Sequence, residues 1–319
     1  MSDIQDIRFL SNIFGDQIMS FFEDKDVMDI IINSSGKLIV DKHDMGKVCV
    51  GEANLIDIRH AMNIIAQYRG EFLNDDKPEC SVELPNYPPF NGARAKCCIP
   101  PCTPDTSLTI RKHSDKVYPL SDFIKKEMVT EDQARFLRKA IEDYKNIVVL
   151  GIPQSGKTSL TRALINEIKY VSNANDRILV LEDTPEIKID MEDVEYMKTK
   201  PLSMQEIVKN ATRMRPDRII VGEVTDGAAH DLLKSWNIGC SGGITTIHAN
   251  SCADAPQRLI DLACEKNIAP PIALITTVVN VLVHMIKDKN HPYGRRVKEV
   301  CILNAYDRRN DRFLVEHVC

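Results

Sequence analysis

The opening residues, MSDIQDIRFLSNIF, lack the positive charge of an export signal, carrying Asp3 and Asp6 instead, and no apolar core of signal length follows them. The expectation is a chain that stays in the cytosol. Its ten cysteines lack the regular spacing of a disulfide framework, so reduced thiols are expected there. The one cluster, Cys97, Cys98 and Cys102 in CCIPPC, lacks the partner pair a metal site needs and reads as structural. Low-complexity tracts are absent too, and 43% apolar with 27% charged residues is ordinary globular composition. A formal charge of −5 argues against wholesale binding of duplex nucleic acid. Single strands would need a stacking platform or a basic stripe, and neither is found beyond Arg213–Arg218. The run long enough to span a membrane, residues 268–286, is interrupted by Pro270, Pro271, Asn280 and His284. It reads as a buried helix followed by a β-branched strand over 278–285.

What is present organises itself around IVVLGIPQSGKTSLTRALINEI, residues 147–168. A short apolar run meets Gly151, Gly156, Lys157 and Thr158 at the G-x-x-x-x-G-K-[ST] spacing, and a helical pattern follows. Glycines let backbone N–H groups close on phosphate oxygens, a lysine adds a point charge near the β and γ phosphates, and a threonine hydroxyl suits Mg²⁺. The expected nucleotide contacts are Gly151, Gln154, Ser155, Gly156, Lys157, Thr158 and Ser159.

With 319 residues the chain favours two domains. The boundaries read as 1–111 for a small α+β domain, 112–129 for a connector containing Pro119 and mixed charge, and 130–319 for the nucleotide domain. In the first domain, Asn33-Ser34-Ser35-Gly36 between two β-branched runs predicts a hairpin, and the spacing of Leu55, Ile58, Ala61, Ile64, Ile65 and Tyr68 predicts a helix capped by Asn54. Thr130 followed by Gln133 predicts a capping box. From there strand and helix patterns alternate, which predicts an α/β fold with a mostly parallel sheet covered on both faces.

Three further stretches fall where strands of such a sheet end. In RILVLEDTPEI, Glu182 and Asp183 are acceptors able to hold Mg²⁺ through water or to orient a nucleophilic water. In RMRPDRIIVGEV, Gly222 fills the place where an acidic residue is usual, which leaves Glu223 as the base that polarises the attacking water. That assignment expects the strand before Glu223 to lie next to the phosphate-loop strand. In GCSGGITTIHAN, His248 is placed to sense or contact the γ-phosphate.

In this order the motifs GIPQSGKTS, ILVLEDTPEI, RIIVGEV and GGITTIHANS resemble those of the ring-forming ATPases of type II and type IV secretion, in the branch that serves conjugal transfer and is called TrbB-like. The resemblance implies a RecA-like P-loop domain preceded by a PAS-like one, the two clamping ATP and Mg²⁺, in a homohexameric ring. It implies docking on inner-membrane secretion components at the cytosolic face of a bacterial inner membrane, with peripheral association through those partners and no direct nucleic-acid contact. It also implies that Arg94, in GARAKCCIPP, and Arg111, in LTIRKHS, reach the terminal phosphate, with Glu223, Glu182 and His248 as the other catalytic residues and Thr158, Glu182 and Asp183 at the metal. The chain departs from the pattern at Pro153-Gln154, where Thr-Gly is usual, at Thr225 in place of arginine and at Cys240 in place of histidine. The proline removes a donor N–H and stiffens the loop, so a nucleotide-dependent assembly switch with weak hydrolysis stands as the alternative. With Thr225 uncharged, subunit contacts are expected to fall to residues such as Arg213 and Arg215.

Overall fold

The computed structural model describes every residue except 1, 2, 43, 44, 69, 113–117, 172, 174, 200, 266 and 267. It divides into two compact units, Met1–Lys116 and Val117–Cys319.

The first unit is a six-stranded antiparallel sheet backed by two helices. In chain order it contains α1 (Asp3–Glu23), β1 (Val27–Ile32), β2 (Lys37–Lys42), β3 (Gly46–Glu52), α2 (Leu55–Tyr68), β4 (Glu79–Glu83), β5 (Arg94–Cys98) and β6 (Ser107–Arg111), and the sheet runs β3-β2-β1-β6-β5-β4. Every neighbouring pair is antiparallel. The expected hairpin joins β1 to β2, and Asn33 closes it by accepting from the backbone N–H groups of Ser35 and Lys37. Leu10, Phe14, Ile18 and Phe22 recur every four residues along α1 and fall in one core with Ile58, Ala61, Met62 and Ile65 of α2. The sheet contributes Ile30, Ile32, Leu38, Val40, Ala95, Cys97, Leu108 and Ile110 to that core, at alternating positions. Cys97, from the cysteine cluster, is one of these packed residues.

The second unit opens with α3 (Leu120–Lys125), inside the stretch expected as a connector. Leu120 and Phe123 are buried in this unit's core, which is why the segment is helical. Residues 113–117 of that stretch lie outside the described residues. There follow α4 (Glu131–Glu142), β7 (Ile147–Leu150), α5 (Lys157–Val171), β8 (Ile178–Glu182), β9 (Val194–Lys198), α6 (Met204–Ala211), β10 (Arg218–Val221), α7 (Ala228–Asn237), β11 (Ile244–Ile247), α8 (Ala255–Cys264), α9 (Ile272–Val278), β12 (Val281–Lys287), β13 (Arg295–Asp307) and β14 (Arg312–His317). The sheet order is β14-β13-β12-β7-β11-β10-β8-β9, parallel from β12 to β9 and closed at the other edge by the antiparallel β13 and β14.

Separate apolar cores cover the two faces, one packed with α3, α4 and α5 and the other with α6 to α9. The central strands are therefore buried along their whole length, as parallel strands between helices must be. Thr130 and Gln133 form the capping box at α4. The long apolar run resolves into α9 and β12, and no helix among the described residues is long and apolar enough to cross a membrane.

The sheet order corrects one expectation. β7 has β11 and β12 as neighbours, and β10 is the next strand but one. The strand that delivers His248, not the one that delivers Glu223, lies against the phosphate-loop strand.

Candidate active site

Four parallel strands end side by side at one edge of the second unit's sheet, where an open α/β sheet exposes its crevice. The loop after β7 turns into α5 within six residues. Gly151 is required there, because a Cβ would collide with the backbone carbonyl of Met285 on β12. Gly156 sits at φ 95, in the left-handed region open to glycine. Gln154 adopts φ 62, which strains an L residue, and its side-chain oxygen accepts a 3.3 Å hydrogen bond from Lys287.

Lys157 is buried at the start of α5. Its Nζ donates to the carbonyls of Gly151 at 3.0 Å and Ile152 at 3.2 Å. It also lies 3.2 Å from His248 Nδ1. His248 Nε2 is in turn 2.8 Å from Glu223 Oε1. An ammonium has only protons to give, so Nδ1 is the acceptor and Nε2 carries the proton donated to Glu223. Burial lowers the Lys157 pKa, and the nearby Glu223 carboxylate partly restores it. The Ser155 hydroxyl is buried in the same loop with no hydrogen-bond partner among the described residues. A buried ammonium resting on carbonyls, beside an unsatisfied hydroxyl at a helix start, is a cradle that fits an anion.

Glu182 lies outside this chain of contacts, and the strand order explains why. β8 is three strands from β7, a lateral separation of about 14 Å. Its carboxylate instead accepts the backbone N–H groups of Glu186 and Ile187 at 3.1 to 3.2 Å. Burial pushes its pKa up to about 7, against the lowering effect of those two amides. Its Cγ would stand 3.2 Å from a Cβ on Gly222, so the glycine that replaces the usual acidic residue makes room for Glu182. Asp183 is exposed and accepts from the Thr199 hydroxyl at 2.9 Å. Thr158 is exposed on the first turn of α5, next to the partly buried Ser159.

The family that the motif order resembles is the one the comparisons find. Residues 94–312 match the family described as Type II/IV secretion system protein. The chain is 35% identical over 312 residues to a conjugal transfer protein TrbB of Rhizobium radiobacter, covering 98% of this chain and 94% of the relative. It is 34% identical over 311 residues to a probable conjugal transfer protein TrbB of Sinorhizobium fredii, covering 97% and 93%. The chain belongs to the Type II/IV secretion system protein family. Among solved structures it shares the fold of the Legionella pneumophila ATPase DotB, with TM-score 0.64 and 18% identity over 90% of this chain and 80% of that one. It also shares that of the pilus retraction motor PilT with bound ADP, with TM-score 0.60 and 15% identity over 92% and 83%.

The arginines singled out by resemblance to this secretion family stand together in the first unit. Arg94 and Arg111 face each other directly across β5 and β6, on the sheet face away from the helices. The row continues to Asp29 on one side and Glu83 on the other, and Arg111 Nε pairs with Asp29 at 3.0 Å. Of the departures from the family pattern, Thr225 is exposed and Cys240 is buried in the apolar core. Arg213 and Arg215 are both exposed in a turn after α6.

One residue at this site has no counterpart in the sequence reading. Arg295, the first residue of β13, brings its Cδ within 3.0 Å and its Nη1 within 3.7 Å of where a Cβ on Gly156 would stand. One of two adjacent arginines in GRRVKEV, it carries no spacing signal. Its place over the loop follows from β12 pairing with β7, a contact between residues far apart in the chain.

Proposed function

We propose that this chain is a cytosolic ATPase that assembles as a ring of six copies and drives a type IV secretion or conjugation apparatus from the inner face of a bacterial inner membrane. The observation that carries the reading is the Lys157–His248–Glu223 chain at the mouth of a phosphate loop. Relatives named for conjugal transfer along nearly their whole length support the transport setting. The partners are then further copies of this chain and membrane-bound secretion components, with membrane contact made through those components.

The substrate is ATP. The loop from Gly151 to Ser159 holds its phosphates, and the Nζ–H groups of Lys157 that now rest on carbonyls are donors a phosphate oxygen can take. Mg²⁺, when bound, would offset phosphate charge. Thr158 fits that ion directly. Glu182 and Asp183, whose carboxylates here accept from the amides of Glu186 and Ile187 and from the Thr199 hydroxyl, would hold it through water.

Glu223 orients the attacking water, and the Nε2 proton of His248 fixes which carboxylate oxygen is left to accept from it. Arg94 and Arg111 are the guanidinium groups assigned to the terminal phosphate. Replacing Lys157 by Ala lowers phosphate release from ATP by a factor of about 100 or more while far-UV circular dichroism is unchanged; release at the wild-type rate overturns the proposal.

The switch reading rests on Pro153, on the strained Gln154 and on the uncharged Thr225. Under it, purified wild-type protein holds ATP for many minutes with little steady-state phosphate release, and a single-turnover measurement separates the two.

A further inference from the structure

Behind the His248 loop lies a set of polar groups that the proposed chemistry does not use. Cys252 follows His248 by four residues, while Glu299 and Cys301 occupy alternate positions of β13 and so share one face of that strand. One ligand atom from each, the two Sγ atoms and a carboxylate oxygen, lies within 4.8 Å of the others. Both thiols are buried, with Cys252 at 1% and Cys301 at 2% exposure.

The carboxylate is already oriented. Glu299 Oε1 accepts the backbone N–H of Cys252 at 3.2 Å and sits 3.1 Å from Nδ1 of the buried His284 on β12. Glu299 Oε2 is the oxygen turned toward Cys301 Sγ, at 3.9 Å.

We propose that Cys252, Cys301 and Glu299 form a binding site for one Zn²⁺-class divalent cation, with His284 as the residue that positions the carboxylate. Two sulfurs and one oxygen select a borderline-soft ion and disfavour Mg²⁺ or Ca²⁺, which take oxygen alone. Binding displaces one proton from each thiol into solvent, and a water completes four-coordination from the side of the partly exposed Glu299. The ion would tie the loop carrying His248 to β13, the strand whose first residue, Arg295, covers the phosphate loop.

The test is metal content and Co²⁺ spectroscopy on the full-length protein, kept reduced, loaded with Zn²⁺ or Co²⁺ and freed of excess ion. One equivalent of Zn²⁺ and a thiolate-to-cobalt charge-transfer band are expected. Cys252→Ser and Cys301→Ser each remove the band, and Cys240→Ser, a change at another buried thiol, keeps it. Glu299→Gln leaves both sulfurs in place and guards against a serine variant that does not fold. It, and His284→Asn, keep the band with affinity weakened by a factor of about 10 to 100. Failure of the reduced wild type to retain metal overturns the site, as does a Cys252–Cys301 disulfide under these conditions or undiminished binding by the double serine variant.

Discussion

At Glu182 a single side chain couples stability to pH. Its pKa is raised to about 7 by burial, so the folded chain holds this proton more tightly than the unfolded chain does. Below about pH 4 both states are protonated and the group has no net effect. As pH rises from there to about 7 the unfolded state ionises first, stability falls, and above that range the loss is complete, at roughly 3 kcal/mol. Glu182→Gln is therefore expected to flatten this part of the pH dependence and to gain about 1 to 3 kcal/mol at pH 8, measured by urea unfolding at pH 5 and pH 8. A variant as pH-sensitive as the wild type would assign the slope elsewhere. The residue types at this site were legible in the sequence, since Lys157, Glu182, Glu223 and His248 are each named by their motif. Which of them touch was not. Glu182 and Glu223 both follow apolar strands, but only the strand order sets one beside His248 and the other against the amides of Glu186 and Ile187.

The elements around the site are pinned together by Arg218, the first residue of β10, which is fully buried. Its Nε meets Asp176 Oδ2 at 3.0 Å, and its Nη atoms donate to the carbonyls of Gly242 and Ile141, each at 3.1 Å. The guanidinium carbon stacks 3.9 Å from the Tyr144 ring centroid. One side chain thus joins the end of α4, the approach to β8, the start of β10 and the glycines before β11. Arg218→Met leaves Asp176 buried without its ion-pair partner, and a loss of about 3 to 5 kcal/mol is expected. The double variant Arg218→Met with Asp176→Asn recovers part of it, and additive losses in the urea midpoint would show that the two groups are not coupled. In the sequence this arginine is one of three in RMRPDR, the short basic stretch that opens a strand pattern. Its burial depends on two carbonyls and a carboxylate from three other segments, which no local pattern reports. The helices were more visible, because periodicity and caps act within a few residues, as at Thr130–Gln133 and along α2.

At the scale of the whole molecule the ring is the prediction at stake. Sedimentation of the wild-type protein with ATP and Mg²⁺ is expected to give a species of six chains, and Lys157→Ala is expected to separate assembly from turnover by keeping hydrolysis low whatever its mass. A monomer at micromolar concentration under every nucleotide condition would remove the ring and leave the phosphate-loop chemistry standing. Read alone, the amino-acid sequence determined that a strand, a glycine-rich loop and a helix would follow one another at residues 147–168, and that alternating strands and helices would follow. Those outcomes depend on backbone preferences and side-chain periods spanning a few residues. The tertiary structure alone decided that β11 lies between β7 and β10, that Arg295 covers Gly156, and that Cys252 meets Glu299 and Cys301. Each of these requires segments about 25 to 140 positions apart to meet, and such meetings are selected by the burial of whole sheet faces rather than by any local preference.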